Sequence, residues 1–277
     1  MARDPALVDA LVAAHPPERR ATPRGAVSFR AAGKGPVLCL LHGIGSQSAS
    51  WALQLDALAP RFRMIAWDAP GYGDSDRLEP ESPAAADYAS SLAALLDELR
   101  IERAVLVASS LGALTAGAFA ARWPERVAAL VLLNPAGGYG LADPADRAQK
   151  LAARLDRLAR LGPAGMARDL SPGMLGPDAS AEATALAAWS TAAIRPEGYA
   201  QAARMLAHGR LLEDAARYPG RVLVVAGAHD TITPPPGCER IARAFPQGAY
   251  RLLDGAGHLS YLDSAPIVNE LIAGAAR

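Results

Sequence analysis

Five short runs in which nearly every residue is apolar constrain how this chain folds more than any other feature. They are "PVLCLLHG" from Pro36, "RMIAWD" from Arg63, "RAVLVAS" from Arg103, "VAALVLLNP" from Val127 and "RVLVVAGAHD" from Arg221. A strand that is apolar on both faces has to be covered on both faces, which is the condition of a parallel strand inside a layered sheet. Between the runs, "WALQLDALAP", "SLAALLDELR" and "LGALTAGAFAARW" carry apolar residues at helical spacing, so strands and helices alternate. The expectation is an α/β fold with a mostly parallel, doubly wound sheet. A chain of 277 residues that is 51% hydrophobic can bury a core of that size.

The alternation stops between Asn134 and Arg221. There "QKLAARLDRLARLG", with Leu151, Leu155 and Leu158 on one face, is followed by "AEATALAAWSTAAI" and "GYAQAARMLAHGRLL", each set off by Pro- and Gly-containing breaks. Two readings are open: additional sheet-covering helices, or a helical cap inserted over the ligand edge of the sheet. The cap is favoured, which divides the chain into a first core part (residues 1–135), an insertion (136–215) and a second core part (216–277). No internal repeat or low-complexity tract interrupts this plan.

Charge and cysteine usage narrow the partners. Twenty-eight basic residues balance 28 acidic ones, so no long-range field draws nucleic acid or an anionic membrane surface. A small, weakly charged molecule is the expected partner, with a homo-oligomer left open. Cys39 lies inside an apolar run and Cys238 at an expected helix start, in neither a metal-binding nor a redox spacing, so both read as inert thiols. No metal or cofactor is expected. The N-terminal run "MARDPALVDALVAAHPP" is a poor secretory leader and no segment approaches the length of a membrane helix, so a soluble cytoplasmic protein is expected.

One strand end carries two adjacent serines, in "VLVASSLGAL". A nucleophile on a tight strand-to-helix turn needs small residues two before and two after it, because the backbones there approach closely. Around Ser110 these are Ala108 and Gly112; around Ser109 they are Val107 and Leu111. Only Ser110 fits a nucleophile, although a helix N-cap is the bland reading of a serine in this setting. Three other segments favour the chemical reading. "LLHGIG" leads into a Gly-bracketed loop where the backbone N–H of Ile44, with that of Leu111, would hold a developing oxyanion, while His42 reads as a brace of this loop. "VLVVAGAHDTITPP" ends a buried strand in Asp230, at the edge where α/β sheets place ligand chemistry. Asn134 holds the equivalent place after the preceding strand but cannot carry charge. "DGAGHLSYLD" puts His258 on a Gly-containing loop, able to act as a general base; Asp254 competes for the acid role but reads as a turn brace. His15, His208 and His229 lack a comparable setting.

The chain order Ser110, Asp230, His258 is that of the α/β-hydrolases, and from about Ala26 to Arg277 the sequence resembles that family. "WDAPGYGDSD" looks like the family's Asp-x-x-Gly-x-Gly-x-Ser segment, which implies a turn-shaping role for Asp68, Gly71, Gly73 and Ser75. Two departures are Ala108 in place of the commoner Gly and Ser109 where His, Gln or Asn is frequent. Within the capped members the sequence looks most like bacterial hydrolases related to 3-oxoadipate enol-lactonase and to carbon–carbon bond hydrolases of aromatic ring cleavage. The latter commonly carry Trp after the catalytic His, where this chain has Leu259.

The resemblance implies hydrolysis of a small ester or lactone through an acyl-enzyme on Ser110, and a serine nucleophile argues against dehalogenase or epoxide hydrolase chemistry. Cofactor-independent haloperoxidase or perhydrolase activity is a side reaction open to the same machinery. Trp51, Trp189, Tyr199 and Met205 are candidate pocket residues, and Arg195 is a candidate for a substrate carboxylate. Two readings of another class compete. A nucleotide-binding oxidoreductase fails because "HGIG" and "PGYGDS" do not complete G-x-G-x-x-G. A non-catalytic small-ligand receptor on the same fold is countered by the full set of Ser, Asp and His.

Overall fold

The computed structural model describes residues 5–277. The reading of the N-terminal run as a poor leader rests partly on residues 1–4, which lie outside the described residues. In chain order the elements are α1 (Pro5–Ala14), β1 (Pro17–Arg20), β2 (Val27–Ala32), β3 (Val37–Leu41), α2 (Ala52–Leu58), β4 (Arg63–Trp67), α3 (Ala85–Glu98), β5 (Ala104–Ser109), α4 (Gly112–Arg122) and β6 (Val127–Leu133). There follow α5 (Pro144–Leu170), α6 (Ala181–Ala192), α7 (Pro196–His208), α8 (Leu211–Ala215), β7 (Arg221–Gly227), α9 (Pro235–Ala244), β8 (Gln247–Leu253), α10 (Ser260–Asp263) and α11 (Ala265–Ala275).

All eight strands form one sheet in the order β1-β2-β4-β3-β5-β6-β7-β8. From β4 to β8 every pairing is parallel, and β1 and β2 add an antiparallel edge. The five apolar runs are strands β3 to β7, all inside the sheet. Their side chains alternate between the two faces. Cys39, Leu41, Leu106, Leu132 and Val224 join one buried cluster with residues of α3, α4, α8 and α9. Leu38, Leu40, Val105, Val107, Val131 and Val225 join the other, with α2 and α11. Cys39 and Cys238 are free and buried, and burial pushes both thiols up to about 12, so they stay protonated at neutral pH.

The register brings the strand ends level. Leu41 of β3 pairs with Ala108 of β5, Ser109 with Leu133 of β6, and Leu133 with Val225 of β7. Everything that follows these residues in the chain therefore emerges at one carboxyl edge of the sheet. The insertion between β6 and β7 is helical and supplies α5, α6 and α7. Asp143 caps α5 by accepting from the Ala145 N–H at 2.8 Å, and Ser180 caps α6 by accepting from Ala183 at 3.0 Å. The leucine face of α5 turns inward, with Leu158 buried and Leu151 and Leu155 packed beside it.

Three features differ from the sequence reading. Strands β1 and β2 carry no continuous apolar run: β1 is exposed throughout, and β2 buries Arg30 among apolar residues. The helix read from Gln149 does break at Gly162, with φ 60° and ψ 176° before Pro163, but α5 begins earlier, at Pro144, and a second helical stretch that the reading did not assign continues across the kink to Leu170. Finally, α8 lies inside the stretch assigned to the insertion but packs on α4 and α9, in the layer that covers the sheet. Among the described residues no helix is long and apolar enough to cross a membrane, and no cluster of His, Cys, Asp and Glu could hold a metal ion.

Candidate active site

Ser110 follows β5 directly and has φ +49°, a left-handed conformation that costs a non-glycine residue energy. The turn is held by backbone bonds from both directions. The Ser110 N–H donates to Leu133 O at 3.0 Å, and Ser110 O accepts from Ala113 at 3.1 Å and Ala136 at 3.0 Å. The flank at Gly112 has to be small for the reason the spacing suggested. A Cβ on Gly112 would stand 2.5 Å from Leu41 O and 3.0 Å from His42 O, both backbone atoms. Gly112→Ala is therefore expected to lower stability by about 1–3 kcal/mol, read as a drop in Tm. Ser109 differs in kind: it is fully buried and its hydroxyl has no hydrogen-bond partner.

The loop after β3 lies against Ser110, since a Cβ on Gly43 would be 3.2 Å from Ser110 Cβ and 3.8 Å from its Oγ. The loop is fastened from several sides. Tyr72 Oη donates to Ile44 O at 2.7 Å, and Thr191 Oγ1 of α6 donates to Gly45 O at 2.9 Å. The His42 ring spans Gly43 O at 2.8 Å through Nδ1 and the Ala69 N–H at 3.0 Å through Nε2. Burial lowers the His42 pKa, which favours the neutral ring that can donate at Nδ1 and accept at Nε2. Among the described residues, the N–H groups of Ile44 and Leu111 donate to no protein acceptor, which leaves both free for a ligand oxygen. The Asp68–Ser75 segment braces the same region. Asp68 accepts from Ser28 Oγ and from the Ser48 N–H, each at 2.7 Å, and a Cβ on Gly73 would collide with the Asp68 carboxylate at 2.5 Å.

His258 sits on the loop after β8 and reaches back over the strand ends. Its Nε2 lies 3.0 Å from Ser110 Oγ and its Nδ1 2.9 Å from Asp230 Oδ2. Asp230 accepts five hydrogen bonds. Oδ1 takes the N–H groups of Ile232 at 2.8 Å and Thr233 at 3.0 Å, while Oδ2 takes His258, Asn134 Nδ2 at 2.8 Å and Thr233 Oγ1 at 2.6 Å. One oxygen thus caps the turn and the other accepts from the imidazole, so both geometries offered for this residue occur together. Burial alone would raise the Asp230 pKa, but the His258 and Thr233 interactions outweigh it and hold the carboxyl well below the usual carboxylate range.

Sequence reasoning missed several supporting residues. Asn134, read only as a failed acid, has φ +49°, gives its amide protons to Asp230 Oδ2 and Gly257 O, and accepts from Ser260 Oγ at 2.6 Å. Asp263 Oδ2 accepts from Gly257 N and from Gly176 N of the insertion, each at 2.8 Å, and so ties the His258 loop to the segment joining α5 and α6. No spacing rule marks these residues; "NP" and "HDTITPP" at two neighbouring strand ends were the available signal. Asp254 is exposed, and the loop's side-chain tie runs instead through Asp263.

Beneath the insertion lies a cavity of about 870 Å³, lined by Ser110, His258, Ile44 and Leu111 on the sheet side. That volume suits a small-molecule site. Of the candidate pocket residues only Tyr199 lines it. Trp51 is fully buried and stacked behind the lining residue Tyr261, with ring centroids 4.3 Å apart. Trp189 packs into the core cluster under α2 and Met205 into the cluster on the opposite face. Arg195 is spent on structure: its Nη1 donates to Ser75 O at 2.8 Å and Gly73 O at 3.2 Å, fastening the start of α7 to the Asp68–Ser75 loop. A long side chain near a site satisfies its donors on the nearest free carbonyls, and for Arg195 those belong to the protein.

Comparison with known proteins agrees with this architecture. Residues 36–265 match the family model described as alpha/beta hydrolase fold. Among solved structures, an esterase from Thermogutta terrifontis superposes with a TM-score of 0.83 at 26% identity, covering 94% of this chain and 97% of that one. The enol-lactonase from Burkholderia xenovorans LB400 gives 0.82 at 25% identity, over 93% and 99%. Among curated sequences, an uncharacterized Mycobacterium tuberculosis protein is 42% identical over 110 residues, and 2-hydroxy-6-oxo-6-phenylhexa-2,4-dienoate hydrolase from Comamonas testosteroni is 34% identical over 118. These matches span 40% and 41% of this chain but only 32% and 41% of those relatives. By the extent of the family match, the chain belongs to the α/β-hydrolase fold family.

Proposed function

We propose that the chain is a serine hydrolase that cleaves a carboxylic ester or lactone of a small, largely apolar substrate through an acyl-enzyme on Ser110. The observation that carries this reading is the 3.0 Å approach of Ser110 Oγ to His258 Nε2, on a left-handed turn facing the cavity. Ser110 Oγ attacks the carbonyl carbon while His258 Nε2 takes the hydroxyl proton, and Asp230 stabilises the imidazolium through Nδ1–H. The carbonyl oxygen, now negative, accepts from the Ile44 and Leu111 N–H groups, with the N-terminal end of α4 adding its positive dipole. Collapse of this intermediate expels the alcohol, which takes the proton from His258. Water, deprotonated by the same ring, then cleaves the acyl-enzyme and restores Ser110.

Carbon–carbon bond hydrolysis of ring-cleavage products is the second reading. The local identity to the phenylhexadienoate hydrolase favours it, and Leu259 in place of a tryptophan beside His258 weakens it. A panel of aryl esters, lactones and ring-fission products assayed side by side tests both. The first reading expects esters or lactones to be turned over fastest. Turnover of ring-fission products alone supports the second, and turnover of none returns the chain to a binding role.

A further inference from the structure

The insertion puts a row of cations on the cavity wall. Lys150, Arg154 and Arg157 all line it and recur on one face of α5, and Arg240 of α9 lines it as well. The one carboxylate among the lining residues, Asp169, is already paired with Arg168 at 2.8 Å. A chain with no net charge has therefore gathered positive charge at one cavity.

Arg154 stands out within the row. Lys150, Arg157 and Arg240 are exposed, whereas Arg154 is half-buried. Two exposed arginines further along the same helix have carboxylate partners: Arg160 pairs with Asp156 and Arg168 with Asp169. Among the described residues Arg154 has none, and its Nη1 donates to Tyr199 Oη at 3.3 Å. Tyr139 flanks the same head group, with the Lys150 ammonium 4.6 Å from its ring centroid. Neutral phenols can orient a guanidinium without neutralising it. Withdrawing a cation from water without a counter-charge is costly, and the remaining donors form a planar fork that fits a carboxylate in bidentate fashion.

We propose that Arg154, oriented by Tyr199 and rimmed by Lys150 and Arg157, anchors a carboxylate carried by the substrate at the end remote from the scissile carbonyl. This rests on the reading of Ser110 as the nucleophile and narrows its substrate to an anionic ester or lactone, apolar between the reacting group and its charged end. Arg154 acts as a specificity residue, in the role that sequence reasoning offered to Arg195.

The test compares mono-(4-nitrophenyl) adipate with 4-nitrophenyl hexanoate, which share the scissile bond and chain length but differ in the terminal charge. The wild type is expected to favour the adipate ester in kcat/KM, and Arg154→Met to reduce that preference on the order of 10²-fold. Arg154→Lys should recover part of it. Because no carboxylate is left unpaired, Arg154→Met should hold or raise Tm, whereas Arg195→Ala should lower Tm and leave the preference intact. Glutarate binding to the Ser110→Ala protein, followed by calorimetry with and without Arg154→Met, reads the anchor independently of turnover. Equal preference in wild type and Arg154→Met, together with unchanged glutarate binding, overturns the anchor. Loss of all ester hydrolysis in the wild type with glutarate binding retained overturns the nucleophile reading and leaves the anchor standing.

Discussion

Ser110→Ala is expected to lower kcat on an activated ester by about 10⁵- to 10⁶-fold, while Ser109→Ala leaves the rate within a few-fold of wild type. The two hydroxyls belong to adjacent residues, and the backbone decides between them. Ser109 is still part of β5, pairs with Leu133, and buries a hydroxyl that meets no partner; its removal takes away no hydrogen bond and leaves a methyl group in an apolar setting. Ser110 is the first residue after the strand, and its positive φ turns the side chain toward His258 Nε2. Without that oxygen no acyl-enzyme forms, and only binding and the backbone donors remain to accelerate attack by water. Steady-state kinetics on 4-nitrophenyl acetate, with circular dichroism to establish that both variants are folded, measures the contrast. Equal losses in the two variants would mean that the turn has been assigned to the wrong serine.

Asp230→Asn is expected to cost roughly 10⁴-fold in kcat. The carboxylate accepts five hydrogen bonds, three of them on Oδ2 from His258, Asn134 and Thr233. Replacing either oxygen with an amide nitrogen sets a donor against donors. If that nitrogen faces His258 Nδ1, the ring takes the tautomer with its proton on Nε2, where it cannot accept from Ser110. The folded Asp230 titrates below the normal carboxylate range, so it stays ionised from about pH 5 to pH 8 and the loss should be uniform across that window. The sign for stability follows from the same shift. Asp230 contributes fully above the unfolded carboxyl pKa of about 3.9 and loses that contribution as the pH falls through its lower folded value. Kinetics at several pH values, beside thermal unfolding, separates the two effects. A loss confined to low pH would point to a structural role alone.

How far the sequence could be read depended on whether a feature was local. Strands β3 to β7 were legible because burial on both faces there leaves no room for polar residues, so they announce themselves as apolar runs. β1 and β2 did not, because an exposed edge such as "PERR" carries no pattern and a strand burying Arg30 breaks the apolar rule. Ser110, Asp230 and His258 were legible because strand ends at one sheet edge converge, and the small flanks of the serine carry a steric signature. The Asn134 and Asp263 supports were hidden, since each has a partner distant in sequence, 96 positions away for Asn134 to Asp230 and 87 for Gly176 to Asp263. The pocket was least legible. Trp51, Trp189 and Met205 were chosen for residue type, which favours core positions equally, while Arg154 sits in a charged stripe that looks like an ordinary solvated helix face.

The account turns on Ser110 being the oxygen that His258 activates, and covalent trapping tests this most directly. Reaction of the purified protein with a fluorophosphonate, followed by peptide mass spectrometry, should give one adduct, on Ser110, that disappears in His258→Ala. An adduct on Ser109 or elsewhere, or labelling of Ser110 that persists unchanged without His258, would contradict the account.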